Sequence, residues 1–307
     1  MLNYTFDIGG TGVKCIIFEN EKILESRQIN FINFKEDTKF ERQTLTSVLD
    51  RISLILDENK NEFNLAISIP GVVDSKNKKV LTESAIKEVD IDLVDYFSKY
   101  KNLKNFVVMN DAKAAAYGEF KKRTRDGENI SNMIHLTIGS GLGSGIIIDG
   151  KILEGRKFKA GEAGKMFSTL QGEEIRSVTQ DVGFGTLLMT YIKTTGNRID
   201  GKELFKLYEQ KDSIVLEMIN SFIVRVAKFV FNLNFVFDFD LITIGGGISA
   251  NPNFEKLLIE KINNFMFEFK KYNFVAENDD IQNTIKISHL KNQAACFGGL
   301  EKLREIK

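Results

Sequence analysis

Hydrophobic and polar positions in this chain follow one pattern twice. Residues 4–30 read as three short strands, with apolar runs around Ile8, then Cys15-Ile16-Ile17-Phe18, then Ile23-Leu24, separated by glycine-rich or polar breaks. Residues 40–58 carry Leu45, Val48, Leu49, Ile52, Ile55 and Leu56 at helical spacing, which predicts an amphipathic helix. Leu65-Ala66-Ile67-Ser68-Ile69 is a buried strand that stops at the turn pair Pro70-Gly71. Residues 106–109 form another strand, and 112–122 form a helix capped by Asn110 or Asp111. Strands then return at 133–138, 146–149 and 151–153. A helical region follows and includes 213–234, which is apolar on most sides and so reads as buried. A strand at 241–244 opens onto Gly245-Gly246-Gly247, and a helix begins near Pro252. The last helix pattern, 292–303, is interrupted by Gly298-Gly299, a sign of close helix packing. The charged stretch 121–129 is the expected hinge between halves. The fold class is α/β, with mixed sheets flanked by helices.

The repeat is sharpest at two glycine hairpins. Asp7-Ile8-Gly9-Gly10-Thr11-Gly12-Val13-Lys14 leads into Ile16-Ile17, and Thr137-Ile138-Gly139-Ser140-Gly141-Leu142-Gly143-Ser144-Gly145 leads into Ile146-Ile147. Both copies run on to Lys-Ile-Leu, at 22–24 and 151–153. Glycines let backbone amides converge on phosphate oxygens. Thr11 and Ser140 add hydroxyl donors, and Lys14 adds a charge. One such hairpin alone is an ordinary tight turn. Two with matching flanks point to a duplicated domain holding a nucleotide. No G-x-x-x-x-G-K-[ST] loop occurs, and neither hairpin leads into a helix as a dinucleotide fingerprint would.

Composition narrows the options. The 307 residues suffice for two domains, and 43% are hydrophobic. Lys+Arg and Asp+Glu number 42 each, so no bulk charge favours nucleic acid or an anionic membrane. The stretch 218–248 is broken by Arg225, Lys228, Asp238 and Asp240 and does not read as a membrane span. No signal peptide is expected before the first strand. Cys15 and Cys296 each sit in an apolar run and read as buried thiols, which suits a reducing cytoplasm. His135 and His289 lie at or beside strands and read as structural. Pro70 and Pro252 are both accounted for by turns and helix starts.

Four places could carry chemistry. Asp111 ends a buried strand at a helix start, where α/β folds present functional groups, so it is the candidate general base. Simple N-capping is the competing role, and Asn110 can fill it. Asp7, beside the first hairpin, is the candidate holder of Mg2+ through water. Glu162, in Gly161-Glu162-Ala163-Gly164-Lys165, could accept hydrogen bonds from sugar hydroxyls, although a plain exposed loop is equally consistent with that segment. Gly245 and Gly246 permit close approach of a ring or phosphate.

Together these residues resemble the ROK family of bacterial sugar kinases, a branch of the actin-type ATPase superfamily. The segment 7–14 resembles the family's first phosphate motif, 136–150 the second, and 244–249 its adenosine motif. Ile69-Pro-Gly-Val-Val-Asp74 and Asn110-Asp-Ala112 match the sugar side, 160–164 matches the start of the sugar and zinc segment, and 292–298 matches the final helix. The resemblance implies two actin-like, ribonuclease H-like lobes with a cleft between them: 1–120 joined by 291–307, and 121–290. It implies ATP-dependent phosphorylation of a hexose or N-acetylhexosamine, usually at the 6-hydroxyl. Asp111 would take the hydroxyl proton and Asp7 would hold Mg2+. Gly9, Gly10, Thr11 and Lys14, with Gly139, Ser140 and Gly141, would bind the phosphates of ATP. Gly245 and Gly246 would face adenosine. Gly71, Asn110, Asp111, Glu162 and Lys165 would line the sugar. Closure of the lobes would exclude water. Cytoplasmic location and a homodimer follow by the same analogy.

Two departures stand out. Lys165 replaces a common family histidine, and 166–180 contains no Cys or His, so no zinc is expected. A lysine there could favour an acidic or otherwise altered substrate. The family's later glutamate, on the anomeric side, falls nearest Val178, with Glu173 and Glu174 close by. The alternative function is a catalytically weakened sugar sensor without the helix-turn-helix domain of ROK repressors.

Overall fold

A computed structural model describes residues 1–31, 41–170, 173–276 and 279–306. The chain divides into two compact units. Unit 1 comprises 1–128, 152–161 and 293–307, and unit 2 comprises 129–151 and 162–292.

Unit 1 begins with β1 (Leu2–Gly9), β2 (Gly12–Glu19) and β3 (Lys22–Asn30), an antiparallel meander. Then come α1 (Leu45–Leu56), β4 (Phe63–Ile69), the small hairpin β5 (Val73–Asp74) and β6 (Lys79–Val80), α2 (Leu93–Phe97), β7 (Leu103–Asn110) and α3 (Asp111–Arg125). The sheet order is β3-β2-β1-β4-β7, with β1, β4 and β7 parallel. All six apolar positions singled out between Leu45 and Leu56 are buried, so helical spacing alone located the inner face of α1. The Thr44 hydroxyl accepts from the Ser47 amide and sets where that helix starts. The expected start at residue 40 lies outside the described residues.

Alternation along β1 sends Tyr4, Phe6 and Ile8 into the core on the α1 side. Thr5 and Asp7 point to the opposite face. There Ile16 and Phe18 pack against Cys296 and Leu300 of a helix from the far end of the chain.

Unit 2 repeats the plan. It contains β8 (Met133–Ile138), β9 (Leu142–Ile148) and the short β10 (Lys151–Ile152) at the crossing between units. Helices α4 (Val178–Val182), α5 (Phe184–Thr195), α6 (Gly201–Glu209) and α7 (Ser213–Phe237) follow, then β11 (Leu241–Gly245), α8 (Pro252–Lys271), α9 (Ile281–Thr284) and β12 (Ile285–Ile287). Its sheet order, β10-β9-β8-β11-β12, matches that of unit 1 strand for strand, with the first three antiparallel or edge and the last three parallel. The duplication legible in the hairpins therefore extends to whole sheets. Among the described residues, no helix is long and apolar enough to cross a membrane. In α7, the Arg225 guanidinium donates to the Asp181 carbonyl oxygen at 2.9 Å, which gives this half-buried polar group a partner.

The chain ends in α10 (Ala294–Glu305), which belongs to unit 1. Two sequence expectations change here. Gly298-Gly299 does not interrupt the helix. Instead Gly298 faces the Ala114 carbonyl, and Gly118 of α3 faces the Ala294 carbonyl, so the two backbones meet with no room for a Cβ on either side. The stretch 121–129 holds the boundary between units, and its first part is helical. Residues up to Arg125 continue α3, and the unit boundary falls between Glu128 and Asn129. Arg123, buried on α3, pairs with Glu119 at 3.2 Å and Glu128 at 2.9 Å, so part of this charged stretch is tied into the helix.

Candidate active site

In unit 1 the functional candidates collect at the carboxyl ends of β1, β4 and β7. Register pairs Asp7 with Ser68, Ser68 with Met109, and Ile69 with Asn110. Parallel strands end together there, which is where open α/β sheets place ligands. The first hairpin closes at Gly9 and Gly12, and Asp7 sits opposite Lys14. Gly12 packs against the Ile29 carbonyl, which leaves no space for a larger residue.

Asp7 is the most perturbed carboxylate of this group. Burial pushes its pKa up to about 7, the Asp111 charge adds to the rise, and Lys14 opposes it. Burial likewise pulls the Lys14 ammonium down, with Cys296 and Asp7 acting against it. Two carboxylates that feel each other in a recessed site form a ready place for a divalent cation.

Asn110 is the cap of α3. Its side-chain oxygen accepts from the Lys113 amide at 2.9 Å. Its nitrogen donates to the Gly71 carbonyl at 2.9 Å and to the Asp111 carboxylate at 3.0 Å. Asp111 also accepts from the Ala112 amide at 2.8 Å. Capping thus falls to Asn110, and Asp111 stands in the first turn, where the helix dipole favours its charge. Gly71 has φ +109° and faces the Thr82 carbonyl oxygen at the position of a Cβ, so only glycine fits. Asp74, in the same motif, spends its carboxylate on the amides of Lys76 and Asn77 and shapes the β5–β6 turn.

In unit 2, the Gly139-Ser140-Gly141 turn links β8 to β9 and is held by the Gly139 amide on the Gly141 carbonyl at 3.0 Å. Gly185 of α5 donates to the Gly139 carbonyl at 3.1 Å. Register sets Gly245 beside Thr137, so the strand end carrying Gly245-Gly246-Gly247 adjoins the second glycine hairpin. Gly246 has φ +87° and lies against the Ile138 backbone. The Thr137 hydroxyl is buried with no hydrogen-bond partner among the described residues. A buried hydroxyl without a partner is costly, and a phosphate oxygen would satisfy it. Thr137 was not singled out from sequence. The available signal was the internal alignment, in which it occupies the place of Asp7.

Glu162 and Lys165 form an ion pair at 2.9 Å, with the lysine 60% and the glutamate 20% exposed on their side chains. The Ala163 amide is anchored on the Ser144 hydroxyl at 3.2 Å, and Gly164 packs against the Leu142 carbonyl. The segment is therefore fixed to β9 rather than a loose loop. Val178 is buried at the start of α4, while Glu173 and Glu174 are exposed, so the position nearest the family's later glutamate offers no carboxylate. His135 is structural: its Nδ1 meets the Thr243 hydroxyl at 2.8 Å between β8 and β11. Cys15 and Cys296 are buried free thiols, and burial pushes Cys15 up to about 12, so it stays protonated.

The sequence profile of the ROK family matches residues 3–301. The chain belongs to the ROK family. Among its relatives is a beta-glucoside kinase of Listeria innocua, 29% identical over 303 residues, covering 96% of this chain and 95% of that one. An N-acetylmannosamine kinase of Vibrio cholerae is 28% identical over 276 residues, covering 86% of this chain and 88% of that one. A ROK family glucokinase from Streptomyces griseus, solved with glucose and AMPPNP, shares the fold. It gives a TM-score of 0.77 at 22% identity, covering 99% of this chain and 100% of that one. The actin-like ROK sugar-kinase fold inferred from the motifs is thus the fold of this chain.

Proposed function

We propose that this protein is an ATP-dependent kinase that phosphorylates a hexose or N-acetylhexosamine, at the 6-hydroxyl, with Asp111 as general base. The observation that carries the reading is the convergence of Asp7, Asn110 and Asp111 at the ends of adjacent parallel strands, with Asp7 raised in part by Asp111. The relatives named as kinases of beta-glucosides and N-acetylmannosamine support the acceptor class. The neighbour holding AMPPNP supports the donor.

Phosphoryl transfer needs positioning and charge stabilisation more than covalent chemistry. Asp111 accepts the proton of the acceptor hydroxyl, helped by a fixed rotamer, since Asn110 and the Ala112 amide both hold its carboxylate. Gly71 and Asn110 present backbone and amide groups to the sugar, and Glu162 accepts from its hydroxyls. Gly9, Gly10, Thr11 and Lys14, with Gly139, Ser140 and Gly141, donate to the phosphates of ATP. The orphaned Thr137 hydroxyl fits a phosphate oxygen. Gly245 and Gly246 lie under the adenosine. Asp7 is the residue that would hold Mg2+, whose chemistry is to neutralise charge on the transferred group. Its raised pKa fits a site completed by a cation. The buried reduced thiols support a cytoplasmic protein, and a homodimer is proposed from the family.

The test is ADP release with Mg2+-ATP against glucose, mannose, N-acetylglucosamine, N-acetylmannosamine and β-glucosides, for the wild type and Asp111→Asn. Sugar-dependent release that falls about 10²–10⁴-fold in the variant, with sugar binding kept, is expected. Binding of sugar and ATP without turnover in the wild type would instead favour the sensor, a reading to which the Lys165 ion pair on Glu162 lends weight.

A further inference from the structure

The ten-residue excursion 152–161 returns to unit 1 and carries three cations, Arg156, Lys157 and Lys159, all exposed. None of the three makes an ion pair among the described residues. The one acid of the excursion, Glu154, is engaged elsewhere, accepting from the Ser75 hydroxyl at 2.6 Å. In a chain of zero net charge, three neighbouring cations without counterions mark a local field that something outside the chain can balance.

The loop is anchored at two places, and each anchor lies next in sequence to a segment assigned to the sugar. Ser75 directly follows the Gly71-to-Asp74 motif. At the other side, the Lys113 ammonium donates to the Phe158 carbonyl at 2.8 Å. Lys113 is only 4% exposed and sits two residues after Asp111, in the first turn of α3. The tip of the loop is therefore tied to the first turn of α3, the turn that also carries the proposed base. The Ala160 amide closes the loop on the Glu154 carbonyl at 3.1 Å. Phe158 itself has φ +59°, a conformation that costs an aromatic residue energy and persists only where neighbours enforce it. The flanking lysines, 157 and 159, thus stand on a strained and anchored tip.

Taking the kinase reading as given, we propose that the acceptor sugar carries an anionic group, a carboxylate or a phosphate, away from the phosphorylated hydroxyl. Arg156, Lys157 and Lys159 recognise that group and set acceptor specificity. The competing role for these cations is binding the phosphates of ATP. The anchors argue against it, because they join the loop to Ser75 and α3 and not to the glycine hairpin of β1 and β2. An exposed ion pair changes a binding constant by up to about fivefold, so three cations together support a preference of about tenfold or more.

The experiment compares two matched pairs that each keep a free 6-hydroxyl. N-acetylglucosamine is paired with N-acetylmuramic acid, and methyl glucoside with glucose 1-phosphate. Turnover with Mg2+-ATP is read as kcat/KM at low and moderate salt, and binding of each sugar is titrated calorimetrically without ATP. The expected result is a preference of about tenfold or more for the anionic member of one pair, shrinking with salt. Which pair shows it tells carboxylate from phosphate. The triple variant Arg156→Gln, Lys157→Gln, Lys159→Gln should lose that preference while its KM for ATP and its kcat/KM on neutral sugar stay within about twofold. A melting temperature equal to wild type confirms that the variant is folded. Equal or better use of both neutral sugars overturns the proposal and leaves the kinase reading standing. A raised KM for ATP in the triple variant also overturns it, assigning the cations to the nucleotide. Neither turnover nor binding of any of the four overturns both.

Discussion

The Asn110 side-chain nitrogen donates to the Gly71 carbonyl oxygen at 2.9 Å and so ties the start of α3 to the turn after β4. The same amide group caps the helix and holds the Asp111 carboxylate. Two segments more than thirty residues apart, both assigned to the sugar in the proposed function, are thereby tied together by a single side chain. Near-attack positioning of this kind lowers a barrier without any chemistry of its own.

Asn110→Ala should remove the cap and the tie together. We expect a loss of stability of about 1–2 kcal/mol and a larger fall in kcat/KM than the stability loss explains. Asn110→Asp keeps a capping oxygen but sets a second anion beside Asp111, so it should fold better than the alanine variant yet remain poorly active. Urea titrations and steady-state rates on both variants check this. Full activity in Asn110→Asp would mean that the amide donor is dispensable.

Asp7 predicts a pH dependence of stability. Its folded pKa of about 7 lies above the unfolded carboxylate range. The folded state therefore holds the proton more tightly, and that contribution is complete below about pH 4 and is lost as pH rises through about 7. Asp7→Asn, which stays neutral, should melt close to wild type at pH 4 and above it at pH 8, by roughly 1–3 kcal/mol. Its Mg2+-dependent turnover should be lost. Identical melting curves at both pH values would show that Asp7 is not held in a protonation-sensitive site.

Lys165→Ala frees the Glu162 carboxylate. An ion pair this exposed contributes less than about 1 kcal/mol, so stability should hardly change. KM for a neutral hexose should fall by about two- to fivefold as Glu162 becomes available to sugar hydroxyls. A rise in KM would show instead that the lysine orients Glu162 or touches the sugar.

Gly298→Ala sets a Cβ against the Ala114 backbone carbonyl, which cannot rotate away. Overpacking of this kind costs about 1–3 kcal/mol, against about 1 kcal/mol gained in helix propensity. Net destabilisation in a thermal melt is expected. Gly247→Ala, with open space at its Cβ position, is the control and should leave the melting temperature unchanged. A Gly298→Ala protein as stable as wild type would refute the close crossing of α3 and α10.

Period and punctuation made the first half of the fold legible. The spacing of Leu45 to Leu56 gave the buried face of α1, and Pro70-Gly71 and Asn110-Asp111 marked where strands stop. The matching flanks of the two hairpins announced the repeated sheet. What stayed hidden depended on contacts distant in sequence. The short β12 pairs with β11 across about forty residues and has too few positions to show a period. The end of α3 inside the charged stretch 121–129 was hidden because a charge run gives no hint that Arg123 is buried between Glu119 and Glu128. The Lys113 contact with Phe158 was equally invisible, since no local pattern reports a lysine that folds inward.

Helix α10 supplies the cover for one face of the first sheet, yet it comes from residues 294–305. A ribosome making this chain emits the five strands of that sheet before unit 2 and the helix that seals them after it. Unit 2 has all its residues by 292. The second half can therefore finish folding while the first still exposes Ile16 and Phe18, which reverses the usual amino-to-carboxyl order of domain maturation. Loss of residues 294–305 would leave Ile16 and Phe18 unsealed.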